Sequence, residues 1–145
     1  MLSKGIDNAC DIIRYAYDNG VNFFDTAYSS AVGKALDGIS RDSYILSTKF
    51  PYNVGGRMKS ADELEKNVDA CLKELRTDYI DLYHLHAVIP KDYIEARDRF
   101  YPELVRMREK GKIRFAGFTE LFSADTTYEA LKLALADDLY GMQSW

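Results

Sequence analysis

Residues 60–86, SADELEKNVDACLKELRTDYIDLYHLH, carry the chain from a helix into a strand. Ser60 and Glu63 make a capping box, in which serine and glutamate satisfy each other's end of the first turn. Leu64, Val68, Cys71, Leu72 and Leu75 then share one face at helical spacing. Over residues 79–85 the pattern becomes a near-continuous apolar run, as expected of a strand covered on both faces.

The same alternation extends in both directions. Upstream, Ile6, Ala9, Cys10, Ile13, Ala16 and Tyr17 trace an amphipathic helix that Gly20 stops. A short strand is predicted at 21–24, a weaker helix at 31–36 closed by Gly38, and a second strand at 44–46. Downstream, a long helix over 92–110 ends at Gly111. A strand follows at 113–118, then a helix over 123–136 and a last strand over 139–142 that runs into Gln143. The main loop is 51–59. Helix-length connections join every strand to the next and no hairpin turn is read between neighbours, so the strands should pair in parallel. The expected architecture is α/β, one domain over residues 1–145, with parallel strands and outer helices. There is no internal repeat and no linker.

Composition narrows the function. The 145 residues are 47% hydrophobic and 29% charged with a net charge of −4, ordinary values for a globular domain. An acidic balance argues against a duplex nucleic-acid binder. No apolar run approaches the ~18 residues of a spanning helix, and the first residues show no signal-peptide core. Cys10 and Cys71 lie at apolar helical positions and read as reduced core residues rather than a disulfide. A cytoplasmic setting is expected, with no nucleic-acid or membrane partner.

In parallel α/β folds the site forms at the carboxyl ends of the strands. Those ends carry Asp25, then Thr48 and Lys49, then His84 and His86, then Thr119 and Glu120, then Gln143. Each has a plain alternative. Asp25 caps helices well, and Lys49 can reach solvent along its stem. His84 and His86 alternate on one strand and so point the same way, but there is no third histidine to complete a zinc site. Together, an acid, a lysine and a histidine at neighbouring strand ends favour a polar site. A carboxylate can hold an ammonium there, and the cation can lower the pKa of a third acid.

Four segments carry a resemblance: GVNFFDTA (20–27), STKFP (47–51), TDYIDLYHLH (77–86) and GKIRFAGFTE (111–120). Their order and spacing resemble the aldo-keto reductases, over nearly the whole chain. The resemblance implies a partial (β/α)8 TIM barrel and reduction of an aldehyde or ketone, a small-molecule carbonyl substrate, to an alcohol. The cofactor it implies is NADP(H), less often NAD(H). Of the family's catalytic aspartate, tyrosine, lysine and histidine, it places three on Asp25, Lys49 and His86. Contacts to the nicotinamide fall on Asp25, Thr119, Glu120 and Gln143. A tyrosine would protonate the growing alkoxide, Lys49 paired with Asp25 would tune its acidity, and His86 would orient the carbonyl.

The chain departs from the family pattern in two ways. Ser30 stands where the catalytic tyrosine belongs, with several following residues missing, and Tyr28 is the nearby candidate. A complete barrel takes about 250 residues, whereas the matches cover strands two to six, so the domain is expected to be incomplete at both ends. The carboxyl-terminal part that grips the cofactor's phosphates is not among them. The chain alone is therefore expected to be weakly active or inactive, with self-association through open barrel edges. The alternatives are a noncatalytic barrel fragment serving as a binding or assembly module, and an unrelated barrel lyase or hydrolase using Asp25 and Glu120.

Overall fold

The computed structural model describes residues 5–27 and 29–137. Helix α1 (Gly5–Asp18) leads into β1 (Phe23–Asp25), and α2 (Ser29–Ala35) and a 3-10 turn (Arg41–Ser43) lead into β2 (Ile45–Phe50). A small hairpin of β3 (Asn53–Val54) and β4 (Arg57–Met58) precedes α3 (Ala61–Leu75), β5 (Ile80–Val88) and α4 (Pro90–Glu109). The described chain ends with β6 (Ile113–Glu120) and α5 (Glu129–Asp137). Among the described residues no helix is long and apolar enough to cross a membrane.

Strands β1, β2, β5 and β6 form one parallel sheet in that order, each beside its predecessor. With helices packed on one side, this is the parallel α/β architecture of part of a barrel. The predicted strand over 139–142 lies outside the described residues. One expectation is corrected: the loop over 51–59 contains the antiparallel pair β3–β4. Gly55 and Gly56, both at positive φ, supply the left-handed conformations a two-residue hairpin turn needs. The hairpin stands apart from the main sheet and leaves its parallel order intact.

The helices begin where their capping chemistry dictates. Ser60 Oγ accepts from the Glu63 backbone N–H at 3.2 Å, and Glu63 Oε2 accepts from the Ser60 N–H at 2.8 Å, completing the capping box. Pro90 opens α4, where a missing N–H costs nothing. The helix predicted over 123–136 starts later, at Glu129, because the buried Asp125 carboxylate accepts the backbone N–H of Glu129 and of Ala130, each at 2.8 Å.

The core lies on one face of the sheet. Phe24, Leu46, Phe50, Tyr83 and Leu85 turn toward the helices and are buried, with Phe50 meeting Phe100 of α4 edge to face at 5.5 Å. Full burial of a side chain of that size stabilises by about 1.5–3 kcal/mol. Cys10 and Cys71 are buried free thiols. Helix α2 reaches α3 through Gly33, where an added β-carbon would stand 2.1 Å from the Glu74 carbonyl oxygen.

The opposite, inner face is open. Phe23, Ile45 and Phe115 alternate with the buried residues and stay 47%, 40% and 43% exposed. At the amino-terminal ends of the strands, the buried Asp81 carboxylate accepts from Arg41 Nη2 at 2.5 Å, Arg114 Nη1 at 3.0 Å and the Leu46 N–H at 2.9 Å. Both guanidinium groups lie 4.0 Å from the centre of the Tyr79 ring. This network ties β2, β5 and β6 together at the end away from the polar strand termini.

Candidate active site

Strand register decides which polar side chains meet. Asp25 lies opposite Ser47, Lys49 opposite His84, and His84 opposite Gly117. Since side chains alternate along a strand, Asp25, Ser47, Lys49, His84, His86 and Thr119 all project onto the inner face. They sit at its carboxyl-terminal end, beyond the apolar row of Phe23, Ile45 and Phe115.

Lys49 Nζ donates to Asp25 Oδ2 at 2.5 Å, and Ser47 Oγ donates to Asp25 Oδ1 at 2.8 Å. Burial works to raise the Asp25 pKa, but the bonds from Lys49 and Ser47 outweigh it and hold the carboxyl below its ordinary 3.8. The pair is half open to solvent, Lys49 at 20% and Asp25 at 49% side-chain exposure. A fixed ammonium thus stands at the mouth of the inner face with its counter-ion directed by a second donor.

His86 is exposed, and its Nδ1 lies 3.1 Å from Thr119 Oγ1. Thr119 Oγ1 also accepts the backbone N–H of Ala87 at 2.9 Å. The hydroxyl proton is then available to His86 Nδ1, an arrangement that puts the imidazole proton on Nε2. A donor directed away from the strand suits a carbonyl oxygen. The backbone assists: Ala87 adopts φ 60° at the register shift between Leu85 and Val88. A left-handed alanine is costly and persists where its surroundings enforce it.

The other candidates divide. Thr119 faces the inner side beside His86. Glu120 Oε1 accepts the backbone N–H of Leu131 at 2.9 Å, so its carboxylate is directed at α5. Tyr28 and Gln143 lie outside the described residues. Ser30 is exposed on the first turn of α2. Among the described residues no cluster of three histidine, cysteine or acidic side chains is disposed to hold a metal ion.

Ser47 and Gly117, which sequence reading passed over, belong to this site, together with His84, which was read as a polar strand end. Ser47 lay beyond the predicted end of its strand at residue 46. Once β2 extends to Phe50, two-residue alternation puts Ser47 between Ile45 and Lys49 on the inner face. His84 is half-buried and its Nδ1 lies 3.5 Å from Ser47 Oγ; burial pushes its pKa below the ordinary 6.5. Gly117 makes room for that ring, because an added β-carbon would stand 2.9 Å from His84 Cδ2.

A cleft of about 320 Å³ adjoins the site, with Lys49 and His86 on one side and Ser29, Asn67, Cys71 and Glu74 on the other. Burial pushes the Cys71 thiol pKa up, which keeps it protonated. A small polar ligand has room here next to the ammonium and the imidazole.

A sequence model described as the Aldo/keto reductase family matches residues 5–139. The chain is 32% identical over 124 residues to an L-galactose dehydrogenase of Arabidopsis thaliana, covering 79% of this chain and 39% of that protein. Its fold is similar to that of an aldo-keto reductase from Bacillus halodurans in its holo form, with a TM-score of 0.67 and 29% identity. That match covers 80% of this chain and 42% of the other. It is also similar to an aldo-keto reductase from Klebsiella pneumoniae in complex with NADPH, with a TM-score of 0.62 and 26% identity over 80% and 40% of the two chains. The chain spans 35–39% of the length of the curated relatives it matches.

Proposed function

The chain belongs to the aldo/keto reductase family, and from that premise we propose that it carries part of the site for NAD(P)H-dependent reduction of an aldehyde or ketone to an alcohol. The observation that carries this reading is the 2.5 Å contact between Lys49 Nζ and Asp25 Oδ2, on the same face as His86. When bound, the nicotinamide cofactor supplies the hydride. The residues of this chain would act on the carbonyl and on the proton donor. His86, with its proton on Nε2, donates to the carbonyl oxygen and fixes its direction as negative charge develops. Lys49, held by Asp25, places a positive charge beside the proton donor and favours its ionised form.

Tyr28 is the candidate donor, a phenol in the short connection between Asp25 and α2. Thr119 is the described hydroxyl best disposed for the carboxamide of the nicotinamide, since the Glu120 carboxylate is spent on α5. Asp25 borders the same space, and Gln143 is a candidate by sequence alone. The resemblance to an enzyme crystallised with NADPH supports NADP(H) over NAD(H). A cytoplasmic setting belongs to the same reading, as does one domain over 1–145 that corresponds to part of a barrel.

The test is NADPH binding to the purified 145-residue chain, followed by NADPH oxidation with a panel of aldehydes. The isolated chain is expected to bind weakly and to show no turnover above background. Loss of general acid help alone forfeits about 10²–10⁴-fold. Joined to the complementary strands of a relative, with a tyrosine-bearing connection after Asp25, it should reduce aldehydes, and Lys49→Met should abolish that activity. Failure of the joined protein to reduce any carbonyl would sink the proposal. Robust turnover by the unmodified chain that Tyr28→Phe removes would instead assign the acid to Tyr28.

A second reading is favoured by the open inner face. Phe23, Ile45 and Phe115 are each two-fifths exposed or more, and the β1 and β6 edges of the sheet lack a further strand among the described residues. As a noncatalytic module the chain would assemble through this face. Sedimentation over a concentration series tests it, and a strictly monomeric chain would exclude it.

A further inference from the structure

The Asp25 carboxylate has two oxygens and two different partners. Oδ2 takes the Lys49 ammonium and Oδ1 takes the Ser47 hydroxyl. A hydroxyl has one proton to give. Once Ser47 gives it to Asp25, its oxygen can only accept, and the ring nitrogen 3.5 Å away, His84 Nδ1, is the group in position to donate. The four groups come from β1, β2 and β5, and a fourth strand sets the ring. Gly117 of β6 leaves the space that the imidazole occupies, where any β-carbon would press on Cδ2 at 2.9 Å.

We infer that Ser47 and His84 form a relay to the Asp25–Lys49 pair, in which His84 is a positioning residue that sets the hold of Asp25 on Lys49. The catalytic meaning of the relay rests on the reading above; the relay itself does not. With His84 neutral, its Nδ1–H supports Ser47, and Ser47 keeps the carboxylate turned so that Oδ2 meets Lys49. Protonation of His84 adds a second cation to the same face.

The groups around that cation can be named from each strand. Asp25 on β1 and the backbone carbonyl of Thr48 on β2 favour it, while Lys49 on β2 and His86 on its own strand oppose it. From β6, Gly117 and Thr119 bring no charge. The imidazolium therefore competes with Lys49 for one carboxylate. Burial holds the His84 pKa below 6.5, so the competition begins on the acid side of neutrality.

The test is carbon-13 NMR of the whole chain, labelled at aspartate carboxyls and lysine side chains, followed through pH. The Asp25 Cγ and Lys49 Cε shifts are expected to show an inflection at the pH where the His84 ring titrates, separate from the Asp25 titration below 3.8. His84→Gln should abolish that inflection, and His86→Gln should leave it. Ser47→Ala should weaken it while His84 still titrates, and Ser47→Thr, which restores a hydroxyl, should bring it back. A purely structural role for Ser47 and His84 would move none of these inflections. Asp25 and Lys49 shifts that stay flat through the His84 titration would overturn the relay, as would an inflection undiminished in Ser47→Ala. If Ser47→Ala does not fold, the parent and His84→Gln titrations decide the question. The shifts are read without cofactor or turnover, so failure of the reductase reading leaves this result standing, and the reverse holds too.

Discussion

Lys49 and Asp25 are joined across the β1–β2 step by a contact of 2.5 Å, although Lys49 lies two residues beyond the direct neighbour of Asp25 in register. The lysine reaches diagonally to the end of a strand that stops early. Because the folded-state pKa of Asp25 is lowered, its contribution to stability is fully present above the unfolded value near 3.8. It is lost as pH falls through the folded value. For a carboxylate half exposed to solvent that contribution is at most about 1 kcal/mol. Lys49→Met should move the Asp25 titration upward and flatten the acid limb of the stability curve, as read by carboxyl NMR and urea unfolding. An unchanged Asp25 titration would mean that the pair is not maintained in solution.

Asp81 should matter far more to stability than Asp25. Its carboxylate is 7% exposed and is shared by Arg41, Arg114 and the Leu46 N–H. Asp81→Ala leaves the mostly buried Arg41 without its anion, a change expected to cost about 3 kcal/mol. The urea midpoint should fall sharply, while the Asp25–Lys49 shifts of the remaining folded molecules stay put, because the two clusters occupy opposite ends of the sheet.

Gly33 tests the packing of α2 on α3. A methyl group there meets backbone, the Glu74 carbonyl at 2.1 Å, and backbone cannot swing aside as a side chain can. Gly33→Ala should destabilise by about 3 kcal/mol or more, the upper range for overpacking, with a visible shift of the α2 amide resonances. A variant as stable as the parent would show that the two helices sit farther apart.

Tyr52 contributes to stability on the alkaline side. It is buried and donates to Asp92 Oδ2 at 3.0 Å, and burial together with that carboxylate pushes its pKa up to about 12. The stability this raised value represents is complete below about pH 10 and is lost as pH rises toward 12. Tyr52→Phe should remove one late-ionising phenol from the ultraviolet titration and shift the alkaline unfolding limb upward. The same number of late phenols in both proteins would contradict the assignment.

The periodicity of the sequence made most of the framework legible. The helix after Ser60 and the strand after it were readable because the capping box, a helical apolar face and an apolar run are all local signals. What was not readable depends on partners distant in the chain. Asp81 reads as a lone acid inside an apolar strand until Arg41 and Arg114 fold against it. The β3–β4 hairpin was missed because two-residue strands are too short to show alternation, although Gly55 and Gly56 mark its turn. Asp25, Lys49 and His86 stood out as polar strand ends. His84 stood out with them but Ser47 did not, and the link between these two comes from register between strands, which no single segment encodes.

The order of the sheet also bears on how the chain takes shape during synthesis. In the main sheet each strand after β1 pairs with the main-sheet strand made before it, so none of β2, β5 and β6 waits for a partner from further along. As the chain emerges, each new strand can add to the edge left by the last, and each intervening helix can cover the face just formed. Growth is vectorial, and nascent protein is vulnerable at its leading edge, where unpaired backbone and the apolar row of the inner face are exposed together. For β6 that edge carries Phe115 and Thr119 on one face, either side of Gly117, so the last described strand to arrive exposes an unpaired edge along with part of the candidate site.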